Sequence, residues 1–184
     1  NMATLLLKKN GITPDYVCGL SLGEYSALSA AGVFDPETAI QVVRERGLAM
    51  EKAAEGVESA MMAILGLERE PLLDICVGCD GYVSIANYNC PGQLVIAGEK
   101  KAVEEAGQKA LDHGARRAVP LNTSGPFHTL LLKDASTRLH EVFKDVTFHE
   151  MNVPVIFNCT GKVLEDCSVQ EMLEKQVMSP VYFE

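Results

Sequence analysis

A serine set between two glycines, Gly19-Leu20-Ser21-Leu22-Gly23, is where this sequence first suggests chemistry. In the G-x-S-x-G pattern the serine sits on a tight turn between a strand and a helix, with its hydroxyl pointing outward. Asp15-Tyr16-Val17-Cys18 reads as the strand. The stretch from Glu24 to Gly32 is alanine-rich and free of proline, and reads as the helix, with Glu24 in the first turn where the dipole favours negative charge. Gly19 and Gly23 lack a Cβ, so the backbone can turn sharply and strand and helix can approach closely. The Leu22 N–H then lies at the helix N-terminus, able to donate to an oxyanion. Ser21 is the candidate nucleophile.

Such a serine needs a base within hydrogen-bond reach and a group that orients the base. The chain has four histidines. His113 stands at a helix end before Gly114, and His140 and His149 lie among charges, so surface roles fit these three. His128 follows Gly125-Pro126, which fixes a turn. It suits either a base or a helix N-terminal histidine with no chemical task.

Other chemistries are less well supported. Cys76-Val77-Gly78-Cys79 has no second Cys or His pair at finger-like spacing, so no metal is expected and the six cysteines read as free cytosolic thiols. A net charge of −9 argues against a nucleic-acid partner, because a phosphate backbone needs a basic surface. No run approaches the ~18–20 apolar residues that span a bilayer. Residues 1–9 carry their lysines after the apolar run, the wrong order for a secretory signal. A cytoplasmic protein without membrane contact is the expectation.

The elements around these residues follow from local signals. Residues 1–9 read as the end of a helix, stopped near Asn10-Gly11. Asp35 should cap a helix that has Pro36 at its first position and runs from Glu37 to about Ala54, with Ile40, Val43, Gly47 and Met50 on one face. Next come a strand over Ser59–Leu65, a helix over Glu70–Val77, a strand over Tyr82–Asn87 and a turn at Asn89-Cys90-Pro91-Gly92. A strand over Gln93–Ala97, a helix over Lys100–His113 and a strand over Arg116–Leu121 follow. That β-α-β-β-α-β order is a ferredoxin-like split unit. It reads as a subdomain at 57–122 inserted into an α/β core formed by 1–56 and 123–184. Beyond it lie a helix to about Phe143, a strand over Val153–Asn158, a helix over Ser168–Val177 and an extended piece at 179–183.

Five motifs in register then carry a resemblance. They are Gly19-Leu20-Ser21-Leu22-Gly23-Glu24-Tyr25-Ser26-Ala27, Arg46-Gly47, Asn87-Tyr88-Asn89-Cys90-Pro91-Gly92-Gln93-Leu94-Val95-Ile96-Ala97-Gly98, Gly125-Pro126-Phe127-His128, and Gln176 with Ser179-Pro180-Val181. In order and approximate spacing the chain resembles the malonyl-CoA:acyl carrier protein transacylases, over nearly its whole length. The resemblance implies an α/β-hydrolase-like large subdomain carrying the ferredoxin-like one. It implies Ser21 as nucleophile, His128 as its base and a backbone carbonyl near Gln176 in place of a triad acid. Arg46 would pair with the free carboxylate of malonyl, and Leu22, Phe127, Asn89 and Gln176 would contribute to the substrate site. Two unit charges ~4 Å apart at an effective dielectric of ~20 attract by about 4 kcal/mol, enough to favour malonyl over acetyl. The substrates implied are malonyl-CoA and phosphopantetheinylated acyl carrier protein, with no cofactor and a monomeric enzyme of fatty-acid synthesis.

Carrier proteins of this kind are acidic, so an acidic enzyme needs a local basic patch. Arg116 and Arg117, shortly before the His128 loop, are the candidate carrier-docking residues, with Lys100 and Lys101 nearby; plain solvated charge is the other reading. The sequence departs from the family at Leu20, where many members carry histidine, and at Tyr182-Phe183, where a basic residue and tryptophan are usual. It also starts after the family's first strand and Gly-Gln-Gly turn, whose glutamine N–H is the second oxyanion donor, and stops before the C-terminal helices. An internal portion of the enzyme is therefore expected, and losing one such donor typically costs ~10²–10³ in rate. The rival readings are a serine esterase or thioesterase, a non-catalytic carrier-binding domain, and an acyltransferase domain of a polyketide synthase. Arg46 and the inserted subdomain speak against the first, the intact Ser21, Arg46 and His128 against the second, and Gly125-Pro126-Phe127-His128 against the third.

Overall fold

Capping fixes where the longest helix begins. Asp35 Oδ1 accepts from the N–H groups of Glu37 and Thr38, both at 2.9 Å, and Pro36 takes the first helical position. The computed structural model describes residues 2–184. In chain order its elements are α1 (Met2–Lys9), β1 (Val17–Cys18), α2 (Leu22–Ala30), α3 (Pro36–Ala54), β2 (Ser59–Leu65), α4 (Arg69–Val77), β3 (Val83–Cys90), β4 (Gln93–Glu99), α5 (Lys100–Asp112) and β5 (Arg117–Leu121). A 3₁₀ turn (Leu130–Leu132) leads into α6 (Lys133–Phe143), β6 (Val155–Phe157), β7 (Lys162–Val163), α7 (Val169–Gln176) and β8 (Val181–Tyr182). Asn1 lies outside the described residues, so the expected first helix is observed from Met2.

The strands form two sheets. One is ordered β1-β6-β7, with β1 parallel to β6 and β6 antiparallel to β7. The other is ordered β5-β2-β4-β3-β8. Its first four strands pair antiparallel, and β8 joins β3 in parallel. Two sizeable cores go with the two sheets. Leu28, Phe34, Val42, Leu139, Phe157 and Leu173 belong to the first, among α2, α3, α6, α7 and β6. Ile64, Leu72, Ile85, Ile96 and Val103 belong to the second, between the five-stranded sheet and helices α4 and α5. Because side chains alternate along a strand, Met61, Val95 and Ala97 point to the opposite face, where Phe127 packs on them. Phe127 also packs against the first core and so lies between the two.

Several expectations needed correction. β3 continues through Asn89 and Cys90, leaving only Pro91-Gly92 as the turn, because Cys90 still pairs with Gln93 past an irregular register. The two-residue strand β7 was not anticipated, and the extended piece at 179–183 becomes β8 by pairing with a strand far away in sequence. On α3 the buried face is Ala39, Val42, Arg46, Ala49 and Met50, while Ile40 is 70% exposed. Picking out the largest apolar residues rotated the expected face away from a stripe of small residues at 3–4 spacing that includes one arginine. Among the described residues no helix is long and apolar enough to cross a membrane, and all six cysteines are free.

Candidate active site

The turn between β1 and α2 is closed by contact that only glycine permits. A Cβ on Gly19 would lie 2.1 Å from both the carbonyl carbon and oxygen of Gly23. At Gly23 an added Cβ meets nothing within 4 Å, so close approach explains the first glycine and not the second. Ser21 sits on the turn with φ 51 and ψ −101. Such a conformation costs a non-glycine residue of order 1–3 kcal/mol and tends to mark functional sites. His128, with φ 62, is the other non-glycine residue of positive φ among those described. The two residues picked as nucleophile and base are therefore the two non-glycine residues with left-handed backbones among those described.

They meet. Ser21 Oγ lies 2.7 Å from His128 Nε2, and His128 Nδ1 lies 2.8 Å from the Gln176 carbonyl oxygen. A carbonyl only accepts, so Nδ1 carries the proton and Nε2 is left to accept from the serine hydroxyl. His128 is 3% exposed. Burial pushes its pKa down to about 4; the bond to Gln176 opposes the shift and the Arg46 guanidinium adds to it. At neutral pH the ring is uncharged and can act as a base.

Arg46 comes in from α3, 6% exposed. Its Nη2 donates to Ser21 Oγ at 2.9 Å and to Gln176 Oε1 at 3.0 Å, and its guanidinium lies 5.5 Å from the centre of the Tyr25 ring. Burial lowers its pKa, while Tyr25 and Glu24 hold it up, and an arginine keeps its charge in such a setting. Gln176 Nε2 in turn donates to the Ser21 carbonyl at 3.0 Å. Glu24 is fully buried, and burial pushes its pKa up to about 7 against the bond it accepts from the Asn158 N–H at 2.6 Å. Asn158 also accepts the Ser21 N–H on Oδ1 at 2.6 Å and donates from Nδ2 to the Gly19 carbonyl at 2.8 Å.

The structure brings Ser21, His128, Arg46 and Gln176 into one hydrogen-bonded group. Leu22 begins α2, so its N–H has no acceptor within the helix and is free to face an oxyanion. Phe127 lines, with Ser21, Arg46, Gly47, Leu48 and Met50, a cleft of about 540 Å³. Asn89 lies on β3 and does not line that cleft, and its buried Oδ1 has no partner. Arg116 and Arg117 are exposed at the start of β5 and form no ion pair among the described residues. Asn158, Glu24 and Tyr25 were missed as site residues. Asn158 is 137 positions from Ser21 and belongs to no local motif, and Glu24 was read only as a favourable charge in the first turn of the helix. No group of three or more His, Cys, Asp or Glu side chains among the described residues could hold a metal ion. The assembly suits acyl transfer through serine, with a buried cation beside the nucleophile.

Comparison with known proteins agrees with this chemistry. The family described as the acyl transferase domain matches residues 2–184. The chain is 46% identical over 181 residues to the malonyl CoA-acyl carrier protein transacylase of Bacillus subtilis, covering 96% of this chain and 57% of that protein. The crystal structure of the transacylase of the same name from Clostridium perfringens superposes with a TM-score of 0.93 at 39% identity, over 99% of this chain and 58% of that one. A solved complex of a malonyl-transacylase with its type II PKS acyl-carrier protein superposes with a TM-score of 0.93 at 38% identity, over 98% of this chain and 60% of that one. The chain thus spans 57–60% of the length of the curated relatives it matches.

His128 is needed neutral, and its pKa near 4 sets where that requirement fails. In the full-length protein carrying this sequence, the rate at which a fluorophosphonate labels Ser21 should be level from about pH 8 to about pH 5. It should fall as pH drops through about 4. A rate already halved near 6.5, the ordinary histidine value, would show that burial does not control the base.

Proposed function

Because the chain belongs to the acyl transferase domain family, we propose that it carries the catalytic centre of a malonyl-CoA:acyl carrier protein transacylase of fatty-acid synthesis. The carrying observation is Arg46: a buried guanidinium 2.9 Å from the nucleophile oxygen suits an acyl group that ends in a carboxylate. In this reading Ser21 Oγ attacks the thioester carbon of malonyl-CoA and passes its proton to His128 Nε2. The Leu22 N–H donates to the oxyanion, CoA leaves as its thiolate, and His128 returns the proton to that sulfur. The phosphopantetheine thiol of the carrier then reverses the sequence and collects malonyl. Phe127 forms the cleft wall beside the acyl group, Gln176 holds Arg46 and His128 in place, and no cofactor takes part.

The same reading divides the chain into an α/β-hydrolase-like core at 1–56 and 123–184 and a ferredoxin-like subdomain at 57–122. The strand order β5-β2-β4-β3 and the separate cores support that division, with β8 as the strand that ties one part to the other. Arg117, Val119 and Leu121 lie on the sheet face of Met61 and Ala63, against which Phe127 packs. That face, with Arg117 on it and the exposed Arg116 just before the strand, supports a carrier that docks there and sends its arm toward the cleft.

Intact mass of the full-length protein after mixing with malonyl-CoA should show one malonyl adduct, absent in Ser21→Ala. An adduct that survives the substitution would remove Ser21 from the mechanism. An acyl-enzyme that decays to water as fast as to a thiol acceptor would favour the esterase reading. Arg46→Ala should lower malonyl turnover relative to acetyl turnover by roughly 10- to 100-fold, the range of a hydrogen bond to a charged group. Equal loss with both substrates would make Arg46 a structural residue. Replacing Arg116 and Arg117 with glutamate should raise the KM for the carrier several-fold and leave malonylation by malonyl-CoA unchanged, an effect that weakens as salt shortens the Debye length below ~10 Å. Unaltered carrier kinetics at low salt would place the docking surface elsewhere.

A further inference from the structure

Ser21 holds a backbone conformation that its side chain disfavours, so a partner has to keep it there. The Asn158 carboxamide reaches across the turn with both of its ends. Oδ1 takes the Ser21 N–H at 2.6 Å and Nδ2 gives a hydrogen to the Gly19 carbonyl at 2.8 Å. A carboxamide matches this pair, since one backbone group must find an acceptor and the other a donor. Asn158 is itself 1% exposed and fixed at both main-chain groups. Its N–H donates to Glu24 Oε2 at 2.6 Å, and its carbonyl accepts the Tyr182 N–H at 2.8 Å. It follows β6 directly, the strand that pairs with β1 leading into Ser21. Asn158 is thus anchored to α2 through Glu24 and to β8 through Tyr182, and it braces the turn through groups that neither His128 nor Arg46 touches.

We propose that Asn158 is a positioning residue for acyl transfer: it fixes the peptide groups on either side of Leu20, so that the left-handed φ of Ser21 is held between that anchor and the Gln176 Nε2 bond to the Ser21 carbonyl, which aims Oγ at His128 Nε2 and sets the direction of the Leu22 N–H. The inference rests on the acyl-transfer reading of Ser21. Asn158 exchanges no proton and touches no reacting atom. Its leverage comes from the chain itself, because one φ at Ser21 sets both the Cα–Cβ direction and the peptide plane that ends in the Leu22 N–H. Relaxing that φ misdirects the nucleophile and an oxyanion donor together. Arg46 and Gln176 make no hydrogen bond to the Asn158 side chain, so recognition of the substrate carboxylate should be spared.

The test is the rate of Ser21 acylation in the full-length protein, measured both with malonyl-CoA and with a fluorophosphonate that carries no malonyl group. Asn158→Ala should slow both by roughly 10²-fold, the size of effect seen when an oxyanion donor is lost. The burst amplitude and the KM for malonyl-CoA should stay within about twofold, because each folded molecule still binds and eventually acylates. A fall in amplitude with an unchanged rate constant would mean that Asn158 only keeps the protein folded, and would overturn the proposal. Should the alanine variant fail to fold, Asn158→Asp keeps the shape and the acceptor for Ser21 but loses the donor to Gly19. It should acylate roughly 10-fold more slowly at unchanged KM, and a wild-type rate would overturn the proposal equally. If the wild-type protein reacts with the fluorophosphonate but never takes malonyl, the substrate reading fails, and the Asn158 comparison is still decided by the probe.

Discussion

A guanidinium removed from water has to find hydrogen-bond partners inside the protein, and much of this site is arranged around that need at Arg46. The cation is 6% exposed on a helix whose other buried residues are apolar. Its partners are Gln176 Oε1, Ser21 Oγ and the face of Tyr25. Tyr25 and the buried Glu24 follow directly on the Ser21 turn, so the ring that faces the cation and the carboxylate that anchors Asn158 both come from the first turn of α2. Losing one hydrogen bond to such a charge typically costs about 1.5–3 kcal/mol.

Gln176 joins these demands in one residue. Its side-chain oxygen receives Arg46, its side-chain nitrogen holds the Ser21 carbonyl, and its main-chain carbonyl fixes the tautomer of His128. It occupies the last position of α7, where the final carbonyls have no partner inside the helix. In the acyl-transfer reading this carbonyl does what an aspartate does in a serine triad, without placing another carboxylate in the buried site that already holds Glu24. Immediately beyond, the Val177 carbonyl accepts the His128 N–H, and β8 joins the five-stranded sheet alongside β3. The orientation of His128 is therefore tied to α7 and to the strand that joins the five-stranded sheet.

Local signals in the sequence were enough for the elements that local chemistry determines. Asp35-Pro36 marked the start of α3, the apolar run Ser59–Leu65 marked β2 to the residue, and the flanking glycines marked the turn at Ser21. Arg46 and Gln176 came only from resemblance, because an arginine on a helix and a glutamine at a helix end look like solvated residues. What stayed hidden depends on contacts across the chain. Asn158 ends a short strand and gains meaning only where β6 lies beside β1, and β8 is a strand only because β3 is there to pair with it. Glu24 does lie in the first turn of α2, as its place in the sequence suggests, but nothing local shows that it is fully buried there.

The depressed pKa of His128 poses a chemical question, because a group titrating near 4 is a weak base for a serine hydroxyl. Arg46 helps at the other end of the proton's path, since its donation to Ser21 Oγ stabilises the developing alkoxide. Yet the same positive charge also lowers the basicity of His128. In the acyl-transfer reading the two effects separate once substrate is bound. A malonyl carboxylate paired with Arg46 would cancel much of the field at the imidazole, and so return part of the lost basicity when an acyl group is in place. An uncharged acyl group would leave the field intact and the base weak. Selectivity for an anionic acyl group would then arise in the chemical step as well as in binding, from one guanidinium within hydrogen-bond reach of the nucleophile.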